Sequence, residues 1–208
     1  MNTYTHRSYE SYFNTQYSHT DGETSHGTGV VILASEMMLK EVNALMHSHV
    51  NDIRSIVCHG CRNGFEVDVL KGLNPSAEVF GTDIYELAYK YDRKFFRQID
   101  FDLVPEEWIG YFDVVYSNSI DHSRDPLFTL NSWKLELRKG GICFVTFQFS
   151  KRRPNKVDCF YLSPDLYRSE LDEIADKVWM DVVHCSELMT SNNWRGMYTH
   201  VIFRKGIQ

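Results

Sequence analysis

The chain has 208 residues, 43% of them hydrophobic and 24% charged, with a formal net charge of −6. That length suffices to bury the core of one ordinary domain, and that composition excludes wholesale disorder. The negative charge is the wrong sign for a protein whose main partner is nucleic acid, because such binding neutralises phosphates with Lys and Arg. Lys151-Arg152-Arg153 is the one local basic run, read either as a solvated loop or as a contact for an acidic acceptor. Five cysteines form no disulfide framework, and their odd number fits a reducing compartment. The first residues lack the apolar core of a secretory signal. The apolar runs Val30 to Ala34 and Ile142 to Phe147 are too short to span a bilayer. No membrane span and a cytoplasmic location are therefore expected.

Residues 1–28 are rich in Tyr, His, Ser and Thr and almost free of aliphatics. They read as an arm or lid, or equally as a frayed tail, ahead of a domain over 29–208. From Val30 to Val50 the residues Ala34, Met37, Met38, Val42, Leu45 and Met46 recur at helical spacing. An alternation follows. Ile53 to Cys58 reads as a strand, Phe65 to Leu73 as a helix stopped by Asn74-Pro75, and Glu78 to Asp83 as a strand. Ile84 to Tyr91 reads as a helix, and Phe95 to Ile99 as a short strand. Phe112 to Ser117 reads as a strand, largely apolar, as in a strand buried on both faces. Asp125-Pro126 opens a helix to Leu137, with Asp as cap and Pro at the first position. Lys139-Gly140-Gly141 turns the chain into a strand from Ile142 to Phe149. Ser163-Pro164 opens a helix to about Val178. Strands near Asp181 to Leu188 and Tyr198 to Phe203 end the chain. The expected fold is α/β: a Rossmann-like, doubly wound, mostly parallel seven-stranded sheet with an antiparallel edge hairpin and helices on both faces.

Gly60 and Gly64 follow the first strand of this alternation and precede its helix, where backbone must approach a ligand closely. Asp83 ends the next strand, where a carboxylate can accept from ribose hydroxyls. The alternative is a tight strand-to-helix turn with Asp83 as a helix cap. Arg62 and Phe65 stand where a dinucleotide fingerprint needs glycine, so the loop fits a cofactor without a pyrophosphate.

Five stretches in order carry a family resemblance: Ile56-Val57-Cys58-His59-Gly60-Cys61-Arg62-Asn63-Gly64, Val79-Phe80-Gly81-Thr82-Asp83-Ile84, Ile99-Asp100-Phe101, the segment Phe112 to His122 with Asp125-Pro126, and Leu137-Arg138-Lys139-Gly140-Gly141. Together they resemble class I S-adenosylmethionine-dependent methyltransferases of the type 11 or UbiE-like group, over about residues 50 to 150. The resemblance implies S-adenosyl-L-methionine as cofactor. It sets Gly60, Cys61 and Gly64 at the methionine end, Asp83 on the ribose, and Ile84 on the adenine ring. Asp100 would accept from the adenine amino group with the Phe101 backbone nearby, and Ser117 would sit beside the methionine moiety. Two positions depart from the family: Cys58 replaces an acidic residue, and Arg62 replaces a small one. Arg62 can pair with the cofactor carboxylate as a planar fork, or point to solvent.

Methyl transfer requires alignment of nucleophile, methyl and sulfur, and a base only where the acceptor loses a proton. His122 is the candidate base and Asp121 the second candidate; the alternative for His122 is to pin its loop. The aromatic arm and Asn192-Asn193-Trp194-Arg195 are candidates to wall a small-molecule acceptor site, or simply pack. The histidines form no trusted ligand spacing, and His47 and His49 would point to different helix faces, so no metal is expected. Two rivals remain. One is a catalytically silent cofactor-binding or partner-binding module, favoured by Cys58 and Arg62. The other is a thiol oxidoreductase using Cys58 and Cys61 as a C-x-x-C pair.

Overall fold

The computed structural model describes residues 2–25, 34–85, 95–149, 153–190 and 197–206. Its elements are β1 (Asn2–Thr3), α1 (Tyr9–Ser25), α2 (Glu36–His49), β2 (Ser55–His59), α3 (Phe65–Leu73), β3 (Glu78–Asp83), β4 (Phe96–Gln98), β5 (Phe112–Ser117), α4 (Pro126–Glu136), β6 (Leu137–Phe149), β7 (Phe160–Tyr161), α5 (Tyr167–Val178), β8 (Met180–Cys185), β9 (Met189–Thr190) and β10 (Met197–Lys205).

The main sheet runs in the order β4-β3-β2-β5-β6-β10-β8, with β9 paired to β10. β2 pairs in parallel with β3 and β5, β3 with β4, and β5 with β6. β10 is antiparallel to β6, β8 and β9. The expected doubly wound sheet with an antiparallel edge is present: β10 lies between β6 and β8, and β8 forms the edge. The chain reverses direction about β2, since β3 and β5 flank it on opposite sides. The carboxyl ends of those strands thus form the crevice where open α/β sheets bind ligands.

Alternating side chains give the sheet two buried faces. Ile56, Val114, Tyr116, Ile142, Phe144 and Ile202 pack with Leu39, Val42 and Met46 of α2 and Leu70 of α3. Val57, Val115, Cys143, Val145, Val201 and Phe203 pack with Leu130 and Trp133 of α4 and Leu171 and Ile174 of α5. Every residue of β5 is buried, which explains its apolar stretch Val114-Val115-Tyr116; the polar Asp113 and Ser117 towards its ends are hydrogen-bonded.

Local signals set most boundaries. The Ser35 hydroxyl accepts from the Met38 amide at 3.2 Å and starts α2, later than the expected Val30; residues 30–33 lie outside the described residues. Asp125 caps α4 through the Phe128 amide at 3.0 Å, with Pro126 in the first turn. Two expectations need correction. Lys139-Gly140-Gly141 is no turn between elements: β6 already begins at Leu137, which pairs with Phe112, and an irregularity in register absorbs the glycines. Ser163-Pro164 precedes α5 by a turn, and the Ser163 amide is taken by the Glu170 carboxylate at 2.8 Å. The expected helix from Ile84 to Tyr91 falls mostly outside the described residues. Among the described residues no helix is long and apolar enough to cross a membrane.

The N-terminal segment is the largest departure from the sequence reading. It forms helix α1, and β1 pairs antiparallel with β7. Tyr12 is 1% exposed, so the arm is packed against the domain. The expected boundary at residue 28 lies outside the described residues.

Candidate functional site

The loop after β2 is built from three left-handed residues: Gly60 at φ 68°, Arg62 at φ 45° and Gly64 at φ 76°. Gly60 is obligatory, because a Cβ there would lie 2.7 Å from the Ser119 Cβ. Arg62 adopts the same region with a side chain, at a cost on the order of 1 kcal/mol. The Cys61 amide donates to the Thr82 carbonyl at 3.0 Å and the Gly64 amide to the Cys61 carbonyl at 2.6 Å, which closes the loop onto β3.

Asp83 holds this loop. One carboxylate oxygen accepts from the Arg62 amide at 2.7 Å and the other from the Tyr85 amide at 2.9 Å. Burial raises its pKa, against the lowering effect of those amides, Arg62 and His122. The turn-forming role read from the sequence is therefore real. A carboxylate has about four acceptor sites, so two amides leave capacity for a ligand. Ile84 is half-buried beside it.

Asp100 follows β4. Its Oδ1 accepts from the Asp102 amide at 3.1 Å, and its Oδ2 accepts from the Tyr9 hydroxyl of α1 at 3.0 Å. Burial raises the Asp100 pKa, and burial with the Asp100 charge pushes Tyr9 up to about 12. Phe101 is a core residue: its ring meets Trp133 edge-on at 5.8 Å, and its carbonyl accepts from the Trp133 indole at 2.9 Å. Ser117 is 1% exposed and bridges two strand ends, donating to the His59 carbonyl at 3.0 Å and accepting from the Ser119 amide at 3.1 Å. Gly60, Cys61, Arg62, Gly64, Asp83 and Ser117 are thus joined at one sheet edge, with Asp100 and Phe101 beside them after β4.

Several members of this edge carry no sequence signal. His59 is fully buried between Thr82, 2.8 Å from Nδ1, and Glu136, 2.7 Å from Nε2, with its ring stacked on Trp133 at 5.1 Å. Glu66, in the first turn of α3, accepts from Asn118 at 3.3 Å and is pushed up to about 7 by burial. The guanidinium of Arg124 lies 5.0 Å from the Tyr9 ring and 5.9 Å from that of Tyr12. The tyrosine-rich composition of residues 1–28 is the sequence feature that hints at this packing.

Asp121 and His122 occupy a 3-10 turn, Ile120–His122, beyond β5. Asp121 is 3% exposed, and burial pushes its carboxyl up to about 6. His122 is half-buried, with Nδ1 3.2 Å from the Val157 carbonyl. Gln16 of α1 donates to the Val157 carbonyl at 2.7 Å and to the His122 carbonyl at 3.5 Å. The arm therefore crosses the carboxyl edge of the sheet from Asp100 to His122. An open polar cleft of about 550 Å³ lies on the arm side, lined by Ser11, Ser18, His19, Lys156 and Val157 among others.

The two cysteines of the C-x-x-C pair are 1% and 2% exposed, and burial holds both thiols well above the ordinary range. A redox pair needs the opposite environment, so the thiol oxidoreductase reading loses its chemical basis. Asn192-Asn193-Trp194-Arg195 and Lys151-Arg152 lie outside the described residues.

The chain has the fold of class I S-adenosylmethionine-dependent methyltransferases. The chain superposes on a Burkholderia thailandensis 1,6-didemethyltoxoflavin-N1-methyltransferase, crystallised with 1,6-didemethyltoxoflavin and S-adenosylhomocysteine. The TM-score is 0.76 at 15% identity, over 98% of this chain and 92% of that one. It is also similar to the [4+2]-cyclase SpnF, with a TM-score of 0.62 at 12% identity over 86% of this chain and 85% of that one. The CMeT domain of the citrinin polyketide synthase gives a TM-score of 0.58 at 10% identity, over 82% of this chain and 52% of that one. No protein-family profile and no curated protein matches the sequence.

Proposed function

We propose that the chain transfers a methyl group from S-adenosyl-L-methionine to a small-molecule acceptor. The observation that carries this reading is the Gly60–Gly64 loop clamped to the Asp83 carboxylate at the point where strand order reverses. The residues fit such a cofactor: a glycine loop held at positive φ after β2, and buried carboxylates at Asp83 and Asp100 with acceptor capacity to spare. When bound, the cofactor supplies a methyl carbon made electrophilic by a sulfonium.

Gly60, Cys61 and Gly64 present loop backbone to the methionine end, with Ser117 beside it. Arg62 pairs with the cofactor carboxylate. Asp83 takes the ribose hydroxyls, Ile84 covers a face of the adenine, and Asp100 takes the adenine amino group beside the Phe101 backbone. The arm, through Tyr9 and Gln16, excludes water from this edge and walls the acceptor side. Asp121 and His122 stand on that side, in the 3-10 turn beyond β5, and they activate an acceptor that must lose a proton.

Two observations favour a second reading, a catalytically silent binder: Arg62 strained at φ 45°, and Tyr9 already seated on Asp100. Calorimetric titration with S-adenosylmethionine and S-adenosylhomocysteine tests both. Binding of either, with turnover across a panel of small acceptors, is expected. Absence of binding at millimolar concentration refutes the leading reading, and binding without turnover selects the silent one.

A further inference from the structure

Three side chains with metal-ligating atoms meet beside the arm. Asp121 and His122 come from the 3-10 turn after β5, and Asp158 from the loop that leads into β7. One ligand atom from each lies within 4.8 Å of the others. No sequence pattern points to this trio, because Asp158 is far from the other two along the chain and the three have no ligand spacing.

The chemistry of the cluster is unbalanced as it stands. Asp121 is 3% exposed, yet its Oδ1 has no hydrogen-bond partner. A buried carboxylate oxygen without a partner loses its hydration with nothing in return. Among the described residues, no Lys or Arg forms an ion pair with Asp121 or Asp158. Among the described residues the cluster therefore gathers two carboxylates that no Lys or Arg offsets, with the His122 imidazole beside them.

The other two members are held in place. Asp158 accepts from the Asn155 side chain at 3.1 Å, while Asn155 Oδ1 accepts from the amides of Val157 and Asp158 at 2.8 and 3.2 Å. The Val157 carbonyl can only accept, so the His122 Nδ1 beside it carries the proton and Nε2 carries the lone pair. A histidine whose second nitrogen is fixed on a carbonyl is oriented as metal-bound histidines are.

We propose that Asp121, His122 and Asp158 bind one divalent cation of the first transition row. One imidazole nitrogen and two carboxylates suit Mn²⁺ or Zn²⁺. Three protein ligands leave coordination positions open, as in sites that bind a substrate or water. The polar cleft along α1 adjoins the cluster through His19 and Val157. If the methyl-transfer reading holds, the acceptor is a hydroxyl compound. Coordination to the cation lowers its pKa, so its proton passes to water and not to His122, whose lone pair is on the cation. The oxygen lone pair then takes the methyl group, and the electron pair of the broken carbon–sulfur bond stays on sulfur. That consequence rests on the methyl-transfer reading; the cation site does not.

The test uses the full chain stripped with a chelator. Mn²⁺ is titrated and the signal of free Mn²⁺ is followed by electron paramagnetic resonance; Zn²⁺ is titrated by calorimetry. One saturable site is expected, with Asp121→Asn and Asp158→Asn each weakening it at least about tenfold. Asp158 is half-buried on a loop, so its variant tests the site even if Asp121→Asn misfolds. The proposal is overturned if neither cation saturates a site by about 1 mM, or if Asp158→Asn binds as tightly as the unaltered chain. S-adenosylhomocysteine titrated into the same metal-free sample reports on the cofactor site separately.

Discussion

Replacing Asp83 by alanine removes the acceptor that joins the glycine loop to the end of β3. The Arg62 and Tyr85 amides then lose bonds of 2.7 and 2.9 Å. Each donor stranded without a partner costs about 1–3 kcal/mol. Part of this is returned, because the carboxylate no longer suffers the burial that raises its pKa. A net loss of about 2–4 kcal/mol is expected, and a fall in Tm of roughly 2–4 °C per kcal/mol for a chain of this length. Asp83→Asn separates structure from binding. Its amide oxygen keeps one of the two acceptor roles, so it melts closer to the unaltered chain, while the ribose loses its charged acceptor. The dissociation constant for S-adenosylhomocysteine, measured by calorimetry, is expected to rise at least about tenfold, or about 1.4 kcal/mol. A folded Asp83→Asn variant that binds as before would show that Asp83 only braces the loop, and the assignment of the whole edge would fall.

Gly60→Ala combines a positive φ of 68° with a Cβ placed 2.7 Å from that of Ser119, so both Tm and cofactor affinity are expected to fall; a melting curve like that of the parent would refute the tight cradle. For Glu66, burial lifts the folded-state pKa to about 7 from 4.5, so its stabilising protonation is complete below the unfolded value and is lost as pH rises through 7. Glu66→Gln is therefore expected to be more stable than the parent at pH 8, by up to about 3 kcal/mol, with the advantage shrinking towards pH 4.5; a constant difference across denaturation curves at the two pH values would contradict this. Cys58→Ser and Cys61→Ser are expected to leave insulin-reduction activity at the background level of the parent. Labelling of either thiol by a disulfide reagent is expected only on unfolding, and rapid labelling in the native state would revive the redox reading.

Much of this protein was legible in the order of its residues. The alternation from Ile53 to Phe149 revealed the parallel sheet because strands buried on both faces read as short apolar runs. Asp125-Pro126 and Asn74 marked helix ends because capping is local chemistry. Gly60, Gly64 and Asp83 were legible as a set because a strand-to-helix turn needs glycine at positive φ and the neighbouring strand end supplies the carboxylate that holds it. Local rules failed where a residue's partner is distant. The arm offered no aliphatic stripe, so nothing in residues 1–28 announced a helix; Tyr12 is buried and Tyr9 bonded only because Asp100 and Arg124 arrive from elsewhere in the chain. His59 looked like a loop residue until Glu136 and Thr82 closed around it. Cys58 and Cys61 had the spacing of a reactive pair, but burial holds both thiols above the ordinary range, which only the folded structure shows. The sequence by itself determined the layered fold and its glycine edge, because periodicity, caps and turns act over a few residues. Only tertiary structure decided what covers that edge, and only it brought Asp158 to Asp121 and His122, because such contacts depend on where the folded backbone returns.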